Sequence, residues 1–539
     1  MTTLLQPLRL ERRPPRPARA QQARHDWLAV GGLVLVYAVL QSAFVHQPPL
    51  SDQMHYFVDA ATLPHISEPP HQTLRIGLTI PVWMMIRLFG YSEAAYYAMP
   101  YLFAVGLIAA TYWLGRVLDC RATGLIAGLL VFANPFVLND ASQLLPDIPA
   151  AALLTGAIAL LIWRWQHSGD TARPEHRDRL VLIGVGLLLG WSYLVREFIV
   201  LWFPVAALVA VVLQLPRSWW RLVLAGTAGM FALELLWGLV FFRNPFARII
   251  AALNQPTSPA WRVVEREQLI RTGEIPDTHL EMLTAMPRTL VASDAGWLLV
   301  VLFVALLVVA VLVRSPRLRL LAVWVVAPVV LMLVVIQIAW LFDNRILRPE
   351  KLRYWLPVIP PLVVGGVSAM RALGQRLLDD VGGAIAVAVA ASLALVSVLM
   401  TGAELDQEAD FTRTGQDEYL AFREWAATSG QTCPVLWIDA DHWRDSERWV
   451  PMYLRSFWGR PIWDGEVRHL NHGDQWADLS QLDAGALVRA RSSLDRRTLE
   501  QQELPAYLVE PPSSWRVLLR TEHDRIRVLA VGASTCARP

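Results

Sequence analysis

Pro48-Pro49-Leu50-Ser51-Asp52-Gln53-Met54-His55-Tyr56 follows the first long apolar run of the chain and places an acid at its mouth. A carboxylate where a helix leaves hydrocarbon is costly unless it is used. The stretch decides the fold because its surroundings are apolar on a membrane scale. The chain has 539 residues, of which 55% are hydrophobic and 17% charged. Soluble domains run near a quarter charged. A crossing helix needs about 20 mostly apolar residues. Such runs recur at 27–45, 94–116, 122–139, 148–166, 180–195, 198–215, 222–242, 296–313, 320–341, 353–371 and 382–402. The expectation is a mostly α, polytopic helical membrane protein with about eleven spans.

Orientation follows from basic residues in short loops. The N-terminal tail holds Arg9, Arg12, Arg13, Arg16, Arg19 and Arg24, with Glu11 the one acid among them. Counting from a cytoplasmic tail puts Arg116/Arg121, Arg164/Arg173/Arg177/Arg179, Arg217/Arg221, Arg314/Arg317/Arg319 and Arg371/Arg376 inside as well. The N-terminus is expected inside and the C-terminus outside. No small-residue cleavage site follows the first run, so no cleaved signal peptide is expected. The net charge of +2 is explained by this loop bias and points to no nucleic-acid partner. Arginine replaces lysine everywhere except Lys351, which fits a GC-rich, bacterial coding sequence. The expected location is therefore the bacterial plasma (inner) membrane.

Outer segments divide the chain into a cytoplasmic basic tail (1–26), a transmembrane domain (27–402) and an extracytoplasmic domain (403–539). The first outer loop, 46–93, contains the apolar run 76–86, flanked by Arg75 and Arg87 and interrupted by Pro81. That run is too short to span and reads as a helix in the interface. A further outer loop, 243–295, is charged and proline-containing. From 403 the composition turns polar, with β-like runs at 435–438, 486–488 and 526–531 and a helix-like stretch at 415–428. This reads as a small α/β domain, large enough to fold alone. Cys433 and Cys536 both fall there, outside the cytoplasm, where a disulfide is permitted. Spacing leaves pairing or two separate thiols open.

The outer acids and cations carry the candidate chemistry. Asp52 and Asp59 follow the first span, and Asp140 and Asp147 flank the short turn between the third and fourth. Asp147 begins a helix, where a carboxylate also caps free N–H groups. Arg75, Arg196, Lys351 and Arg353 oppose the positive-inside trend, and such cations suit a lipid-linked phosphate. Anchoring to anionic lipid is the plainer alternative for the 345–354 cluster. Arg196-Glu197 sits at a tight outer turn. Glu234, inside a span, reads as a hydrogen-bonded structural or substrate-polar group. His71, with His65 and Asp52, could hold a divalent metal such as Mg, Mn or Zn. Walker, Rossmann, zinc-finger and Gly-x-Ser-x-Gly signatures are missing.

The order of these residues resembles the GT-C superfamily of membrane glycosyltransferases over roughly residues 27–370. It is similar to the bacterial branch that includes protein O-mannosyltransferase-like and lipid A aminoarabinose transferase-like enzymes (glycosyltransferase family 39-like). The matching residues are Ser51-Asp52-Gln53, His71-Gln72-Thr73-Leu74-Arg75-Ile76-Gly77-Leu78, Leu88-Phe89-Gly90, Leu145-Pro146-Asp147-Ile148-Pro149, Arg196-Glu197 and Arg353-Tyr354-Trp355-Leu356-Pro357-Val358-Ile359-Pro360. Gln53 departs from the second acid usual in the family, which bears on metal use.

The resemblance implies an inverting glycosyltransferase that takes a sugar from a polyprenyl-phosphate donor to an acceptor hydroxyl on a glycan, lipid or protein at the outer face. Asp52 is then the expected general base, with Asp147 assisting. Arg75, Arg196, Lys351 and Arg353 are the expected phosphate ligands. His71, Glu197, Asp140 and Tyr354 are expected to contact substrate or metal. The competing class is a transporter or flippase of a lipid-linked saccharide, which would place charges deep in several spans; essentially only Glu234 is found there. A membrane-anchored interaction protein would leave Asp52 and Asp147 without purpose.

Overall fold

The computed structural model describes residues 19–45, 52–63, 74–167, 176–212, 214–253, 278–341, 352–439, 446–472, 475–482, 484–491, 503–532 and 536. The chain is mostly helical. Among the described residues, eight helices are long and apolar enough to cross a membrane. Six of them are Ala23–Ala43, Glu93–Leu118, Asp147–His167, Asp178–Val195, Arg217–Phe242 and Pro316–Ile338. The other two are Arg353–Asp379 and Val381–Thr401. A ninth crossing is available if Leu280–Ala292 and Gly296–Leu312 are taken together, although they bend by 113° at the break. Ser293 makes that break by capping the second helix, its Oγ accepting from Gly296 N at 3.2 Å.

Two of the expected spans are interrupted. The run 122–139 is a helix Arg121–Phe132 and, after a break, a second helix Pro135–Asp140. Asn134 caps the second helix (Oδ1 to Phe136 N, 3.0 Å), and Pro135 brings no N–H to continue the first. Twelve residues rise only about 18 Å, short of a bilayer core. The run 198–215 opens as a 3-10 segment, Glu197–Trp202, and becomes α-helix only at Phe203–Val212.

The stretch 46–93, expected as an outer loop, holds two helices among the described residues. After α1 (Arg19–Ala43), an amphipathic helix, α2 (Asp52–Thr62), precedes the expected interface helix, α3 (Ile76–Phe89). The first half of α3 is buried and its end exposes Met84 and Leu88. Gly77 lets α3 press on the end of the helix His176–Val195: a Cβ there would meet Leu194 C at 2.7 Å. Trp191 Nε1 donates to Gly77 O across the same contact at 2.8 Å.

Two helical spans merge near residue 378. Leu378 and Asp379 leave helical geometry, with Asp379 at φ +52°, and the chain reverses so that Gly374 and Gly382 come into backbone contact. From Val381 the helix runs on without a break through 402 to Ala427. It thus crosses the composition change that marks the polar C-terminal region.

That region holds a five-stranded sheet of order β2-β1-β5-β7-β6, with β1 Val435–Ile438, β2 Glu466–His469, β5 Ala484–Ala490, β6 Arg516–Arg520 and β7 Ile526–Gly532. A two-stranded pair, β3 (Asn471–His472) and β4 (Gln475–Trp476), lies beside it. β1 pairs parallel with β2 and β5, whereas β7 runs antiparallel to β5 and β6. Cys433 and Cys536 are disulfide-bonded, with Cα atoms 4.5 Å apart. The sheet region is joined to the helices by Ala94 N donating to Phe457 O (3.0 Å) and by Glu418, on the long helix, accepting from Thr521 Oγ1 (2.8 Å) and His523 N (2.9 Å).

Candidate active site at one end of the helices

Asp147 begins its helix after the turn 141–146, which is closed by Gln143 N to Asp140 O (3.0 Å) and Ala150 N to Pro146 O (3.0 Å). Its side chain is fully buried, and Arg196 Nε stands 3.3 Å from Oδ1. Neither carboxylate oxygen accepts a hydrogen bond among the described residues. Buried polar groups are overwhelmingly hydrogen-bonded, so an unsatisfied one calls for a reason.

Arg196 reaches this acid from the N-terminal edge of the 3-10 segment Glu197–Trp202. Its guanidinium lies over the rings of Phe198 (4.8 Å) and Tyr354 (5.2 Å). Arg353 lies against the same Tyr354 ring at 5.3 Å, so the second 3-10 segment, Leu352–Val358, brings another cation to this place. Such cation–π contacts hold a guanidinium while leaving its in-plane donors to other partners.

Asp140 closes the helix Pro135–Asp140 and is buried. Burial, then the negative charge of Asp147, pushes its carboxyl up to about 7, against the opposing pull of Arg353. Asp140, Asp147, Arg196, Arg353 and Tyr354 therefore share one electrostatic neighbourhood.

Gln53 stands where a second acid was expected, and its surroundings explain the amide. It is buried, and its Nε2 donates to Gln143 Oε1 at 2.6 Å, in the turn between Asp140 and Asp147. A carboxylate here would face an amide oxygen close to two other acids. The bond also sets the first turn of α2, which begins at Asp52, against the Asp140–Asp147 turn. The side chain of Asp52 lies outside the described residues, as do His71 and Lys351.

Arg75, at the start of α3, is engaged rather than open. Its Nε and Nη2 fork onto Glu197 at 3.1 and 2.5 Å, and Nη1 donates to the Tyr56 hydroxyl. Glu197 also accepts from Arg248 Nη2 at 2.9 Å, and Arg248 Nη1 reaches Glu234 Oε1 at 3.1 Å. Glu234, buried within its span, thus has a guanidinium partner. Arg248 and Tyr56 were missed from the sequence. The signals were available: a buried acid asks for a cation, and Arg248 interrupts the apolar run Phe246-Ala247-Arg248-Ile249-Ile250.

A divalent cation does not fit the described side chains. No three His, Cys, Asp or Glu converge among them. Asp147 faces Arg196, and Arg353 acts on Asp140, so guanidinium charge already stands where a metal would.

No protein-family model matches the chain, and no curated protein matches it in sequence. Solved structures do. The crystal structure of ArnT from Cupriavidus metallidurans bound to undecaprenyl phosphate superposes with a TM-score of 0.58 at 15% identity, covering 97% of this chain and 100% of that one. ArnT from the same organism in the apo state gives 0.55 at 15% identity, covering 96% and 100%. The archaeal oligosaccharyltransferase AglB from Archaeoglobus fulgidus gives 0.45 at 14% identity, covering 82% and 65%. The chain therefore shares the fold of ArnT, a fold in keeping with the one the sequence resemblance implied. The likeness to ArnT runs end to end, including the small sheet region beyond the spans.

Proposed function

We propose that this chain is a membrane glycosyltransferase that moves a sugar from a polyprenyl-phosphate donor to an acceptor hydroxyl at the outer face of a bacterial inner membrane. The observation that carries the reading is the buried Asp147–Arg196 contact, in which charges meet without hydrogen bonds, beside Arg353. Donors and acceptors held apart from each other are available to a substrate. The fold it shares with a protein crystallised with undecaprenyl phosphate supports the choice of donor.

In this reading the donor phosphate is held by Arg196 and Arg353, with Lys351 two residues before Arg353 in sequence. Arginine suits phosphate through paired charge-assisted hydrogen bonds. Asp52 takes the proton of the acceptor hydroxyl. The freed oxygen bonds to the anomeric carbon while the carbon–oxygen bond to phosphate breaks. The electron pair leaves with the polyprenyl phosphate, and the anomeric centre inverts. Asp147 acts by holding Arg196 toward the leaving phosphate.

The outer placement is supported by the opposite end of the same helices. Arg116 and Arg121 pair with Asp26, Arg371 with Asp119, and Arg164 with Asp178. These arginines share the end that the positive-inside rule assigns to the cytoplasm. The decisive test is Asp52→Asn in membranes supplied with a radiolabelled polyprenyl-phosphate sugar. Transfer should be lost at normal expression; undiminished transfer would remove Asp52 from the mechanism. A wild-type chain that moves the labelled lipid across the bilayer without transferring sugar would instead establish a flippase.

A further inference from the structure

Arg75, Glu197, Arg248 and Glu234 form an alternating chain of charge through four separate elements: the start of α3, the 3-10 segment Glu197–Trp202, the short helix Ala247–Leu253 and the span Arg217–Phe242. Arg248 is the hub. Its side chain is 4% exposed, and besides both glutamates it donates to Tyr193 O at 2.8 Å. The chain ends on Tyr56, which accepts from Arg75. Tyr56 is 1% exposed and lies one helical turn beyond Asp52 on α2.

We infer that Arg248, through Glu197 and Arg75, positions α2 by its Tyr56 hydroxyl and so sets where Asp52 stands. The inference rests on the reading of Asp52 as the base, and it reassigns Arg75 from phosphate ligand to positioning residue. The charges of the four groups sum to zero, and Arg75 spends Nε and Nη2 on Glu197 and Nη1 on Tyr56. A phosphate would have to break those bonds to be held there. Arg196 needs no such exchange, since its Nε has no hydrogen-bond acceptor among the described residues.

The test uses the full chain in nanodiscs with Cys120→Ser and Asp52→Cys, and reads the labelling rate of position 52 by a membrane-impermeant maleimide. Tyr56→Phe, which deletes one hydroxyl, should change the rate at least about threefold, and so should Arg248→Ala. The double variant should change it no more than the larger single one, as for groups acting in one network. Rates that stay unchanged in Tyr56→Phe, or effects that multiply, overturn the inference. If Arg248→Ala fails to fold, Tyr56→Phe alone decides. Arg248→Lys should restore only part of the wild-type rate, because a single ammonium cannot reproduce the planar spread of donors that reaches Glu197, Glu234 and Tyr193 O. In chains that keep Asp52, the Kd for undecaprenyl phosphate should stay within about twofold in Tyr56→Phe; a tenfold rise, about 1.4 kcal/mol, would return Arg75 to the phosphate site. A wild-type chain that transfers no sugar would defeat the proposed function, while the labelling would still decide the positioning.

Discussion

Asp26 and Asp147 are both buried aspartates beside arginine, at opposite ends of the helices, and they differ in how completely they are satisfied. Three donors converge on Asp26 Oδ1: the Tyr112 hydroxyl at 2.6 Å, Arg121 Nε at 2.9 Å and Arg116 Nε at 3.3 Å. They come from two helices, Glu93–Leu118 and Arg121–Phe132, so the acid staples these to the first helix. Asp147 has its arginine at 3.3 Å and no hydrogen bond on either oxygen among the described residues. The first arrangement is complete without a ligand. The second bears the cost of desolvation without the return of hydrogen bonding, as groups reserved for a substrate do. Burial and charge alone do not separate a structural acid from a functional one; the hydrogen-bond inventory does.

The comparison is tested most severely at Asp147. Asp147→Asn keeps the volume and removes the charge that faces Arg196. Sugar transfer per folded molecule should fall about a hundredfold, near 2.7 kcal/mol of transition-state stabilisation. The melting temperature in detergent should change little, because the lost attraction to Arg196 is offset by no longer burying a carboxylate that accepts no hydrogen bond, and Arg196 keeps the faces of Phe198 and Tyr354. A protein that loses stability and keeps its activity would make Asp147 a second Asp26.

Much of this contrast was legible as outliers of charge. Asp147, Arg196, Glu197, Arg353 and Arg75 stood out because each opposed its membrane surroundings, and the fold brings all five to one end of the helices. The apolar runs located the helices for the same reason: their burial in lipid is written in composition. What was not legible depends on contacts distant in sequence. The α2 helix is short and amphipathic, and it is fixed by partners such as Gln143, 90 residues from Gln53. Arg248 acquires meaning only beside Glu234 and Glu197. The helix from Val381 to Ala427 ignores the change in composition near 403, since a change of solvent does not end a backbone hydrogen-bond ladder.

Asp140 sharpens the comparison through pH. Its ordinary value is 3.8, and burial, then Asp147, pushes it up to about 7 in the folded protein. The folded chain therefore binds this proton more tightly than the unfolded chain. The resulting stabilisation is fully present below pH 3.8 and is lost as pH rises through about 7. Between pH 5 and about 7.5 the melting temperature of the wild type should fall relative to that of Asp140→Asn. Parallel profiles for the two proteins would show that the Asp140–Asp147 pair does not hold a proton.

The smallest effect belongs to Asp26. Asp26→Asn keeps one acceptor for Tyr112 but weakens the bonds from Arg116 and Arg121. Those side chains are 25% and 38% exposed, so both guanidiniums can turn toward water instead of remaining buried and unpaired. The loss should be held to about 1–2 kcal/mol of stability, the range of a charge-assisted hydrogen bond partly replaced by solvent. Sugar transfer per folded molecule should be unchanged, since the staple lies at the far end of the helices from Arg196. A melting temperature lowered by a few degrees with full activity places Asp26 as structure. A large fall in turnover without loss of stability would mean that the two ends are coupled, and that satisfaction of hydrogen bonds does not by itself mark an acid as outside the chemistry.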